Sequence, residues 1–99
     1  MFSRILPFSV HIIRGHSMQP HIKEGERVFV SNWTYAFSQP KVGDVIVFCG
    51  SDNKTYVKRI IAVAADKKSF FVEGDNRSDS KKLPPISRKA IIGKVVASY

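Results

Sequence analysis

Ninety-nine residues with 43% hydrophobic and 24% charged side chains describe one folded domain, residues 1–99, rather than a disordered chain. A single cysteine, Cys49, excludes an internal disulfide and a cysteine-based zinc cluster. Sixteen basic against eight acidic residues give a net charge of +8, which fits either an anionic partner or simply a solvated basic surface.

The chain opens "MFSRILPFSVHIIR", apolar and without an acidic residue before Glu24. A membrane-spanning helix needs about 20 apolar residues. Arg4 and Pro7 interrupt this stretch and Arg14 closes it, so it does not span, and no small-residue cleavage site follows to make it a signal peptide. Residues 1–13 therefore read as a first strand or a hydrophobic flap, with peripheral contact to a membrane surface, helped by Arg4 and Arg14, as the alternative.

Downstream, apolar residues come in short runs bounded by Gly, Pro, Asn, Asp and Ser, which is a strand pattern; helix signals are nearly absent. The candidate strands are Ser9–Ile13, Arg27–Ser31, Asp44–Cys49, Thr55–Val63, Ser69–Glu73 and Ile91–Ser98. Turns fall at "KEGE", "QPKVGD", "GSDNK", "AADKK" and "GDNRSDS". "VIVF" is continuously apolar and predicts a strand buried on both faces. Pro84-Pro85 forbids regular ladder pairing and marks a loop. "WTYAFSQP", residues 33–40, is a connecting loop in which Trp33, Tyr35 and Phe37 alternate; they read as local packing groups, with membrane insertion the alternative. So many strands in so short a chain predict a mainly β fold, a small, twisted, partly closed antiparallel barrel.

Two stretches carry chemistry. In "RGHSMQPHIKEGERVFV", Gly15 and Pro20 bracket Ser17 and imply a fixed backbone around it, so Ser17 is either a turn residue or a nucleophile. In "TYVKRIIAV", side chains alternate. Tyr56, Lys58, Ile60 and Ala62 share one face; Val57, Arg59, Ile61 and Val63 share the other. Lys58 is then either a solvated edge residue or a lysine on an apolar face. On an apolar face, burial and the repulsion expected from Arg59 would favour the neutral amine, which can act as a general base. A serine hydroxyl needs such a base, since at its free pKa it is a poor nucleophile. His16 is adjacent to Ser17 and in extended backbone points the other way; His11 and His21 stay open as bases. The spacing of His11, His16 and His21 matches no usual metal-ligand pattern, so neither a metal nor a cofactor is expected.

"GHSMQPHIKEGERVFV", "VGDVIVF", "YVKRIIAV" and "GDNRSDS", in that order, resemble the conserved boxes of the signal peptidase I family across residues 12–97. Each box alone is weak; four in order are specific. The resemblance implies a Ser–Lys dyad serine endopeptidase, with Ser17 matching the nucleophile and Lys58 the general base. It implies a mainly β fold of the type shared with self-cleaving repressors, and peptide substrates bound as extended strands and cut after small residues. It makes the Ser17 N–H one oxyanion donor; some relatives place a serine where this chain has Gly15, so a second donor would be a backbone group or absent.

The box "GDNRSDSKKL" departs from the family's form. It is shortened, and Lys81 stands where arginine is usual. Ser78 or Ser80 would hydrogen-bond the lysine, and the choice between them stays open. Gly74 would sit in close approach beside the dyad, while Asp75, Asn76, Arg77 and Asp79 would shape the box. The family's membrane anchors and extra β-domain are not seen in this sequence, which suggests a minimal soluble member, cytoplasmic or peripheral to a membrane. In size and motifs it is similar to the proteases predicted to mature nickel superoxide dismutase by trimming a propeptide. The alternatives are a self-cleaving repressor-type protease, a non-catalytic basic β-barrel binding module, and a homologue that keeps the dyad without activity. No nucleic-acid motif accompanies the positive charge, so nucleic acid is not an expected partner.

Overall fold

The computed structural model describes residues 7–76 and 82–99. Seven strands form one sheet: β1 (Phe8–Ile12), β2 (Arg27–Ser31), β3 (Val45–Cys49), β4 (Thr55–Val63), β5 (Ser69–Glu73), β6 (Ile86–Ser87) and β7 (Ile91–Ser98). Their order is β1-β2-β7-β3-β4-β5-β6, every described pair is antiparallel, and the sheet curls into a half-barrel. The mainly β, partly closed architecture expected from the turn-punctuated apolar runs is the one observed. Four of the expected strands have the expected bounds; the first is displaced by one residue at both ends, and the third starts one residue later.

Three elements lie outside the expected set, one of them a 3-10 turn at Arg88–Ala90 between β6 and β7. A single helical turn, α1 (Thr34–Phe37), occupies the 33–40 connection. Within it Tyr35 packs against the core and donates to Asp44 Oδ2 at 2.6 Å, whereas Trp33 is exposed and Phe37 is 85% exposed. Only Tyr35 of the three aromatics is therefore a packing group of the kind expected. The third is β6, two residues long, after the Pro84-Pro85 loop.

Alternation along the strands divides the apolar residues between the two sides of the sheet. One cluster gathers Ile46 and Phe48 of β3, Ile60 of β4, Phe70 and Val72 of β5, and Ile86 and Ile91. The other gathers Val28 and Val30 of β2, Val47 of β3, and Ile13, Met18 and Ile22 from the β1–β2 connection. Strand β3 feeds both, so Ile46, Val47 and Phe48 are all buried, as the unbroken "VIVF" run required. β7 runs between β2 and β3, and Gly93 sits where those strands crowd it. A Cβ there would lie 2.5 Å from the Ser31 carbonyl oxygen.

Besides the outer edge of the two-residue β6, two strand edges are unpaired among the described residues. β1 pairs only with β2, which leaves its outer edge open. The β4–β5 ladder begins at Arg59, so residues 55–57 have no strand on that side.

Candidate active site

Ser17 lies in the turn that leads out of β1. Gly15 opens this turn at φ +92°, a conformation that side chains with a Cβ rarely adopt. The Gly15 N–H donates to Glu24 Oε2 at 3.2 Å, and the His16 ring reaches the other oxygen of the same carboxylate at 3.3 Å. The Gln19 amide lies 2.8 Å from His16 Nδ1, and Ile22 N–H donates to the Met18 carbonyl at 3.0 Å. Met18, 2% exposed, anchors the turn in the second core cluster. Ser17 itself is half-buried.

The "GDN" segment clamps this turn from the far end of the chain. Asn76 N–H donates to the Ser17 carbonyl at 2.7 Å, and its side-chain amide donates to the His16 carbonyl at 2.9 Å. Asp75 accepts two bonds from the Arg59 guanidinium, at 2.9 and 2.8 Å, and its Oδ2 lies 3.0 Å from His21 Nδ1. The hydrogen bonds from Arg59 hold the Asp75 carboxyl below its ordinary value, with the charges of Arg59 and His21 adding to them against the opposing effect of burial. Arg59 is turned to the face of β4 opposite Lys58. The repulsion expected between them gives way to an ion pair that ties β4 to the segment holding the Ser17 turn.

Lys58 is 4% exposed, which decides between the two placements open from the sequence: it is on the apolar face. It stands directly opposite Ile46 in the β3–β4 ladder and shares a face with Tyr56 and Ile60, members or neighbours of the first core cluster. Ser17 and Lys58 line one groove of about 530 Å³. Its walls are β1 and the chain following it, through Val10–Arg14 and Met18, and the front of β4, through Thr55–Val57. The open edges of β1 and of residues 55–57 thus face the same groove.

Gly74 is buried at the end of β5. Arg77, Ser78, Asp79, Ser80 and Lys81 lie outside the described residues. Of the three histidines, His11 lines the groove, His16 braces the turn against Glu24, and His21 pairs with Asp75. Sequence reasoning gives Glu24 no role. Its signal was its place as the first acidic residue of a basic chain, nine residues after the glycine it anchors.

The profile of the signal peptidase, peptidase S26 family matches residues 1–69. Signal peptidase I of Bacillus caldolyticus is 27% identical over 101 aligned positions, covering 97% of this chain and 55% of that protein. Signal peptidase IB of Staphylococcus aureus, strain Mu50 / ATCC 700699, is 42% identical over 60 positions, covering 61% of this chain and 31% of that protein. The chain therefore spans about half the length of the first relative and about a third of the second.

Proposed function

Because the chain belongs to the signal peptidase S26 family, we propose that it is a serine endopeptidase in which Ser17 is the nucleophile and Lys58 its general base. The observation that carries this reading is the shared groove. A half-buried serine, in a turn clamped by hydrogen bonds, lines it together with a lysine that is almost wholly buried. Burial disfavours an ammonium and so favours the amine that can take a proton.

In the proposed reaction Ser17 Oγ attacks the scissile carbonyl carbon while its proton passes to Lys58 Nζ. The Ser17 N–H stabilises the developing oxyanion. The C–N bond then breaks, and Nζ returns the proton to the departing amine. Water, deprotonated by the same amine, hydrolyses the acyl-enzyme and regenerates Ser17. The peptide lies extended between the open edge of β1 and residues 55–57, taking main-chain hydrogen bonds from strand edges that otherwise lack a partner strand. Ile13, Met18 and Val57 make the groove apolar close to Ser17, which suits the small residue expected before the cut. The substrates proposed are signal peptides or propeptides.

Peripheral membrane contact belongs to the same reading. Phe8, Val10 and Ile12 are exposed along one face of β1. Across the ladder they meet Phe29, whose ring stacks on Phe8 at 5.2 Å, and Arg27; beyond those lie Ala97 and Tyr99. An apolar face carrying an arginine, on a chain of net charge +8, suits an anionic bilayer surface.

The deciding experiment is digestion of a peptide library by the purified protein beside Ser17→Ala and Lys58→Met. The expected result is cutting after small residues, abolished by Ser17→Ala and reduced at least about 100-fold by Lys58→Met, whose side chain fills the same apolar space. Cutting that survives Ser17→Ala would overturn the assignment.

A further inference from the structure

The groove beside Ser17 contains one histidine, and its hydrogen bonds fix what the ring can offer. His11 stands opposite Val28 in the β1–β2 ladder, and Ser9 stands opposite Val30. Both side chains therefore point to the side of the sheet that holds the second core cluster. Ser9 Oγ donates to Asn32 Oδ1 at 3.1 Å. A hydroxyl has one proton to give. The 3.1 Å contact between the same Oγ and His11 Nε2 is thus donated by the ring, and Nε2 carries the hydrogen. Burial pushes the His11 pKa down, so the ring is neutral near pH 7. In a neutral imidazole with its hydrogen on Nε2, Nδ1 is an acceptor. No described residue donates to it.

We propose that His11 is a specificity-determining residue, whose Nδ1 accepts a hydrogen bond from a hydroxyl or carboxamide side chain of the peptide ahead of the cut. The inference rests on the peptide-binding reading of the groove. Around it, Ile13, Met18 and Val57 offer only apolar contacts; the other polar residues of the lining are Ser17 and Lys58, assigned to the chemistry, and Arg14, Thr55 and Tyr56, so His11 supplies a ring-nitrogen acceptor that can distinguish threonine from valine at equal shape. A carboxylate at the same place would set lone pair against lone pair, so Asp is expected to bind worse than Asn.

The test uses fluorescein-labelled peptides that differ at one residue, scanned through the positions two to five residues before a small residue. Thr, Val, Asn and Asp are compared at each position. Binding is read by anisotropy and cleavage by mass spectrometry in the same samples. At one position Thr should bind about five-fold tighter than Val, the worth of one neutral hydrogen bond. That ratio should fall to one or below in His11→Phe, which keeps an aromatic ring. It should shrink in Ser9→Ala, which releases the ring from a single tautomer and leaves the core intact. Equal binding of Thr and Val at every position, or a ratio unchanged in His11→Phe, would overturn the proposal. Cleavage without a Thr preference would remove the inference and leave the peptidase standing. A Thr preference in binding without cleavage would do the reverse, and no binding by any peptide would sink both.

Discussion

Asn76 donates its side-chain amide to the carbonyl of His16, sixty residues earlier, at 2.9 Å, while its own N–H holds the next carbonyl, that of Ser17. Two bonds from one residue thus fix the direction of the peptide unit that carries the candidate nucleophile. Asn76→Ala removes the first and keeps the second. Little core packing is lost, so the melting temperature should fall by only a few degrees, in line with a net loss of about 1 kcal/mol. The catalytic cost should be larger, since small displacements of a reacting group lower rate steeply. We expect kcat to drop roughly ten-fold with KM nearly unchanged, measured on the best peptide from the library.

The pair behind that clamp sets a pH dependence. Arg59 binds Asp75 through two nitrogens, and the Asp75 carboxyl is held below its ordinary value. A carboxyl whose folded pKa is depressed contributes stability above its unfolded pKa and loses it as pH falls through the lower, folded one. Asp75→Asn should therefore cost about 2 kcal/mol at pH 7, by loss of charge-assisted hydrogen bonds. The gap between wild type and variant should close as pH drops below about 4. Urea melts at a series of pH values read this directly; a gap that stays constant into acid would show that Asp75 acts only by shape.

Much of this arrangement was legible in the sequence because it rests on local signals. Period-two runs and turn residues mark β2, β4, β5 and β7 with their observed ends. The apolar neighbours of Lys58 raised its burial as one of two options, which the structure then decides. What escaped depends on pairing between distant segments. Nothing periodic says that β7 inserts between β2 and β3, that Arg59 reaches Asp75 rather than crowding Lys58, or that Glu24 caps the Ser17 turn. α1 and β6 are too short to carry a period at all.

Gly93 is one such consequence of distant pairing. It lies in β7 opposite Val47, and a Cβ would come within 2.5 Å of the Ser31 carbonyl oxygen and 2.7 Å of Val30 Cγ1. The first of these is backbone of a paired strand and cannot step aside without opening the β2–β7 ladder. Gly93→Ala should cost about 3 kcal/mol, and the protein should melt well below wild type by circular dichroism. Gly25→Ala is a useful contrast. A Cβ at Gly25 meets nothing within 4 Å, so its cost comes only from a φ of +90° and should be about 1 kcal/mol.

The outer face of β1 gives a prediction about location. Ile12 is 57% exposed and Phe8 50%, and both point to the side opposite His11, away from the second core cluster. Replacing both with serine leaves that core untouched and adds polar groups only where solvent already reaches. The melting temperature should move by no more than a few degrees. Vesicles containing a third phosphatidylserine should sediment the wild-type protein, and the double variant should remain largely in the supernatant. Raising salt to about 1 M should weaken wild-type binding without abolishing it, because it screens the charge attraction and leaves the apolar contact. Equal sedimentation of wild type and variant would mean that this face does not meet the bilayer. Complete release of the wild type by salt would mean that charge alone holds it there.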